Sequence, residues 1–215
     1  MSKPYTETDL SDQFDSDLNW RRKELSDLKL AIKVADKIAR PALLRALVAM
    51  TYAHWEGYVK FCAEKYFQHL TLRRWPFTAL SRQFYVNSFL ARLDALFQTR
   101  NSIAARCKLL NEILDNRDLR FSSINSDLID TRSNLSTDVV QDICLICAVD
   151  GKHFADNRFL IDQIILKRRN SIAHGQWETV DESDADDLVS NALALMSHFR
   201  TLLENKVYEK TYLAA

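Results

Sequence analysis

The residues best suited to chemistry lie in one short run, residues 166–175, which reads LKRRNSIAHG. Arg169 keeps its charge at any working pH, and its planar fork can grip a phosphate through two donors. His174 can take up and release a proton near neutral pH. Lys167 and Arg168 add positive charge beside them and are the expected further phosphate contacts. Together these groups suit the cleavage of RNA. Its 2′-hydroxyl is a built-in nucleophile, so a protein need only hold the phosphate, stabilise the developing charge and move protons. That chemistry calls for no metal and no cofactor. DNA lacks the hydroxyl and is not cut this way. The same two side chains also suit a structural role, as a helix-end pair that satisfies the last carbonyls. Spacing alone is a weak signal, because chance supplies about 0.4 such pairs in a chain of this composition.

The motif needs a helix end to carry it. Residues 156–174 predict one helix, with Phe159, Leu160, Ile164 and Ile165 turned inward. Gly175 follows where a C′ glycine would stand. Positions five apart on such a helix point loosely to one side, and a frayed last turn closes the gap. The negative end of the helix dipole favours a protonated imidazole at His174.

Upstream, apolar residues at helical spacing predict long helices over residues 8–39 and 41–73. Pro41 opens the second, and Trp75 and Pro76 close it. Residues 78–98 and 101–115 predict two more helices. Residues 116–135 are rich in Asn, Asp and Ser, which favour turns by bonding local backbone, and predict a loop. Ser136 is placed to cap a helix that runs to Ala148, where Asp150 and Gly151 break the pattern. A final helix is expected from about Asp181 to Tyr208, its acidic opening suited to a helix N-terminus. With only 3 Gly and 3 Pro the chain has few turns, which disfavours β structure. The expected fold is therefore all-α: a bundle of long antiparallel helices with one irregular loop around 116–135. A single domain over 1–215 is expected, its core about 8–208.

Other residues could support the motif. Glu56 lies mid-helix beside Trp55 and Gly57, and either orients Arg169 or His174 or is an exposed helix glutamate. His54, on the same helix, is expected to be structural. Trp177 follows the motif and could stack on a base, although covering the core is the favoured reading. Arg117, Arg120 and Arg132 in the predicted loop could fold over the site. Cys144 and Cys147 form an isolated C-x-x-C within an apolar run, and no second pair completes a zinc site, so they are expected to pack as small hydrophobes. The run from Arg100 to Ala105 nearly repeats Arg169–His174 but has alanine in place of the histidine, so it should be inert.

The formal net charge is zero, so any RNA site must be a local patch rather than a global field. No apolar run reaches membrane-span length, the start of the chain is polar and acidic, and the four cysteines show no disulfide spacing. A reducing cytoplasm is the expected setting.

Three segments also carry a resemblance. Arg169-Asn170-Ser171-Ile172-Ala173-His174-Gly175 resembles the signature of the HEPN superfamily, an arginine followed four to six residues later by histidine, often with a polar residue next to the arginine. Residues 43–60 (LLRALVAMTYAHWEGYVK) and 133–150 (SNLSTDVVQDICLICAVD) resemble stretches of a bacterial HEPN nuclease subfamily that includes cyanobacterial members. The resemblance implies a helical bundle and a homodimer that brings two motif helices together. It also implies metal-independent cleavage of RNA to 2′,3′-cyclic phosphate and 5′-hydroxyl ends. By that resemblance Arg169 and His174 are the catalytic pair and Asn170 the supporting polar residue. Many such proteins act as toxins or in phage defence, some with an antitoxin or other defence-system partner. Others are catalytically silent binding or adaptor modules.

Overall fold

The computed structural model describes residues 3–98, 103–115 and 119–214. Arg100, at the head of the internal echo, and Arg117 lie outside them. Eight α-helices and no β-strand occur among the described residues.

Helix α1 (Glu7–Val34) opens with a reciprocal cap. The Thr6 hydroxyl accepts from Asp9 N at 2.9 Å, and the Asp9 carboxylate accepts from Thr6 N at 2.8 Å. The helix stops five residues before the expected end. Ala35 is extended, and Asp36 accepts from the backbone N–H groups of Ile38 and Ala39. That side chain offers the backbone a turn in place of another helical repeat. Helix α2 (Arg40–Leu72) follows, with Pro41 in its first turn, where a missing N–H costs nothing.

Helix α2 packs along α1 and along the last helix, α8 (Glu182–Tyr208), and these three form the body of the bundle. Trp55, Tyr58, Tyr66 and Phe67 of α2, Phe14 of α1 and Phe199 of α8 are all fully buried, within a cluster of buried side chains running from Leu10 to Tyr212. A 3₁₀ turn (Phe77–Ala79), α3 (Arg82–Gln98) and α4 (Ile103–Asp115) follow α2. The expected start of a helix at residue 78 is displaced because Leu80 pairs with Leu213 from the chain's end, which holds the backbone extended there.

The expected loop contains a short 3₁₀ turn (Ser126–Ile129) and ends at α5 (Thr137–Ile146), capped by Ser136 as anticipated. The helix expected over 156–174 is helical without a break from 158 to 173, but its first half is wound as a π-helix. Helix α6 (Lys152–Asp156) ends at Asn157. A π-helical segment (Leu160–Leu166) follows and runs directly into α7 (Lys167–Ala173). The wider turns are visible where Lys167 N donates to Asp162 O, five residues back. An extra residue per turn rotates the face that simple 3.6-residue spacing assigns. Phe159, expected to point inward, is 70% exposed, and Ile161 is buried in its place.

Cys144 and Cys147 are buried in the core, as expected. Burial pushes the Cys144 thiol up to about 12 and the Cys147 thiol well above its usual range. Among the described residues no helix is long and apolar enough to cross a membrane.

Candidate active site

Helix α7 presents the motif, and the way it ends fixes His174. Gly175 N donates to Ile172 O at 3.1 Å, and Gln176 N donates to Ser171 O at 2.9 Å. These two bonds form a Schellman stop, with His174 as the last residue in line and Gly175 at φ +71. Only glycine takes that backbone conformation freely. His174 is exposed, and its ring has no hydrogen-bond partner among the described residues.

Arg169, one and a half turns earlier, is held on two sides. Its guanidinium lies over the ring of Tyr52, with Cζ 3.8 Å from the ring centroid. Its Nη2 donates to Ser133 O at 2.8 Å. Tyr52 is itself buried, and its hydroxyl accepts from Leu135 N at 2.6 Å. Burial pushes the Tyr52 phenol up to about 12. The nearby Glu56 carboxylate adds to the rise, and the Leu135 N–H and the Arg169 charge oppose it. Tyr52 is therefore neutral at physiological pH. It serves as a platform for the arginine rather than as a base.

The end of the expected loop forms a strap over this pair. Thr131–Asn134 is a tight turn closed by Asn134 N to Thr131 O at 2.9 Å. Both central residues, Arg132 (φ 54) and Ser133 (φ 51), have left-handed backbone. That conformation costs a non-glycine residue roughly 1–2 kcal/mol. The turn persists because it is tied down along its length. The Thr131 hydroxyl donates to Glu56 Oε1, Ser133 O receives Arg169, Asn134 Oδ1 accepts from Asn170 Nδ2 at 3.3 Å, and Leu135 N reaches Tyr52. Beyond the strap, Thr137 N at the start of α5 donates to Asp162 Oδ1 at 2.8 Å. The strap and the π-helical lead into the motif are thus pinned to each other.

The expected site residues divide. Arg169, Asn170 and Glu56 converge on the strap. Glu56 holds Thr131, and among the described residues no ion pair joins it to Arg169 or His174. Arg168 points its charge elsewhere. Its Nε lies 3.0 Å from Glu178 and its Nη2 3.3 Å from Asp184, which ties α7 to the start of α8. With two carboxylates already on it, Arg168 offers a phosphate much less than its position in the motif implied. Lys167 is exposed, its Nζ 3.4 Å from Gln163 Oε1.

Of the expected loop arginines, the two that are described turn their side chains to other partners. Arg120 donates to Arg74 O, and Arg132 lies 3.7 Å from Asp142. Trp177, favoured as a core cover, is 82% exposed instead.

Sequence reasoning passed over Tyr52 and the strap residues Thr131 and Ser133 as parts of the site. A signal existed for Tyr52. Arg45, Tyr52 and Glu56 are seven and four residues apart, which is about two turns and one turn, so they share one face of α2. That face turns out to meet the motif.

His54 belongs to a separate buried cluster. Its Nε2 lies 2.8 Å from Glu24 Oε2, and its Nδ1 is 3.4 Å from Nη1 of Arg21, which pairs with Asp17 at 2.5 Å. Burial and the Arg21 charge hold the imidazole below its usual pKa. Gly57 leaves room for the Arg21 side chain, since an added Cβ would sit 2.8 Å from Arg21 Nη1.

With this geometry in view, comparison with known families gives one result. The RiboL-PSP-HEPN family matches residues 16–205. The chain belongs to that family. No curated protein and no solved structure matches it. Membership makes this an all-α HEPN domain, a class associated with nuclease and RNA-related roles. The matched span includes α2, the strap and the whole of the motif.

Proposed function

We propose that this HEPN protein is an endoribonuclease that needs no metal. The 2′-oxygen attacks the adjacent phosphorus, the bond from phosphorus to the 5′-oxygen breaks, and the products carry a 2′,3′-cyclic phosphate and a 5′-hydroxyl. Arg169 holds the scissile phosphate and stabilises the charge that builds on it. His174 moves a proton. Lys167 supplies further positive charge to the approaching strand, and Asn170 and Glu56 act through the strap that steadies Arg169.

The observation that carries this reading is the pre-organised arginine. Its ring platform and its carbonyl partner fix where the guanidinium points. His174 stands exposed at the adjoining helix end.

The reaction needs two proton transfers, one from the 2′-hydroxyl and one to the leaving 5′-oxygen. One chain offers a single imidazole in the motif. A two-fold dimer that pairs two motif helices would supply the second. Such an enzyme fits a toxin or phage-defence effector in the cytoplasm, held in check by an antitoxin or another defence-system partner.

A second reading is favoured by the same arginine. Arg169 is already engaged by Tyr52 and Ser133, which suits a catalytically silent HEPN module that binds RNA or a protein partner.

Incubation of the purified protein with a mixed RNA pool in EDTA, beside His174→Ala, separates the two. Cleavage that persists in EDTA, yields cyclic phosphate ends and vanishes in the variant supports the nuclease. RNA retention without cleavage supports the silent module.

A further inference from the structure

Trp177 stands three residues beyond His174 and is 82% exposed, although an indole normally covers the core. It is not bare on both sides. The Arg45 guanidinium lies over the ring, with Cζ 5.8 Å from the centroid. Arg45 shares a face of α2 with Tyr52, the platform of Arg169. Two turns of helix separate the two positions, about 10 Å along the axis. One helix face therefore carries two arginine–aromatic stacks. In the inner one the ring is buried and the arginine belongs to the motif. In the outer one the arginine comes from α2 and the ring is open to solvent.

We propose that Trp177, backed by Arg45, is a stacking shelf for a base of single-stranded RNA next to the scissile nucleotide. An aromatic face takes any base, and an adjacent guanidinium attracts the neighbouring phosphate. The shelf recognises unpaired bases because a base within a duplex has no free face to offer. It deepens the ribonuclease reading and rests on that reading only in placing RNA at the motif.

The test measures binding of a fluorescein-labelled, mixed-sequence 2′-O-methyl RNA 12-mer by anisotropy. This probe lacks the free nucleophile, so the intact protein can be used. Trp177→Ala should weaken binding about five- to a hundredfold. Trp177→Phe should stay within about threefold of wild type, because it keeps an aromatic face. A duplex of the same sequence should bind all three proteins alike.

Single-strand binding by Trp177→Ala within twofold of wild type would overturn the shelf. So would an equal loss on the duplex, a Trp177→Phe defect as large as that of Trp177→Ala, or a changed sedimentation coefficient in Trp177→Ala. The last would make the ring a contact between copies. A clear fall in melting temperature for Trp177→Ala would also overturn it, by showing that the ring is packed. The two proposals fail separately. RNA cleavage with no dependence of binding on Trp177 removes the shelf alone. Trp177-dependent binding without cleavage removes the nuclease alone.

Discussion

Replacing Tyr52 should uncouple the motif arginine from the bundle, and two substitutions separate the contributions. Tyr52→Phe keeps the ring under Arg169 and removes the hydroxyl. Leu135 N then loses its acceptor at a buried position, a cost of about 1–3 kcal/mol. For a chain of this size each kcal/mol lowers the melting temperature by roughly 2–4 °C. Tyr52→Leu removes the ring as well and forfeits the cation–π contact at 3.8 Å, worth about 0.5–2 kcal/mol. The assay is urea unfolding of wild type, Tyr52→Leu, Arg169→Gln and the double variant, read as a double-mutant cycle. A coupling energy of about 0.5–2 kcal/mol is expected. In the cleavage assay, Tyr52→Phe should keep most of its kcat while Tyr52→Leu loses it, because only the latter frees the guanidinium. A coupling energy indistinguishable from zero, or equal activity in the two variants, would refute the platform argument.

Three further outcomes follow from the geometry. Gly175→Ala should destabilise by about 1–2 kcal/mol through backbone strain alone, since nothing lies within 4 Å of an added Cβ, and thermal melting would register it. Arg168→Ala should change stability by less than about 1 kcal/mol, given its partly exposed ion pairs, and should raise KM less than Lys167→Ala does. His69 donates from Nδ1 to Pro4 O at 2.8 Å, and burial is the main cause holding its pKa below 6.5. The unfolded chain therefore takes up a proton before the folded one does. The stability this site contributes is complete above pH 6.5 and is lost as pH falls through the folded pKa. Urea midpoints measured from pH 7.5 to 5 should show that loss, and it should be smaller in His69→Gln.

Much of the architecture was legible because helical periodicity and capping are local properties. Ser136 and Gly175 mark helix boundaries through bonds to residues only a few positions away, and Pro41 marks one by lacking an N–H. The departures came from partners and backbone winding that periodicity does not show, and from the local Asp36 turn that ends α1 early. Leu80 is drawn out of helical geometry by Leu213, and the π-helical turns ahead of α7 rotate Phe159 to the surface.

The sequence by itself determined the helices, the run that bears Arg169 and His174, and the glycine that stops the motif helix. Each depends on residue type and spacing within a few turns. Only the tertiary structure decided what each charge in that run meets. Arg168 is drawn to carboxylates on Glu178 and Asp184, whereas Arg169 is laid on Tyr52, 117 residues before it in the chain, and tied to Ser133. Adjacent arginines on a helix leave the axis about 100° apart. Which of them meets an acid and which meets a ring depends on the elements packed on either side, and local sequence does not encode that arrangement.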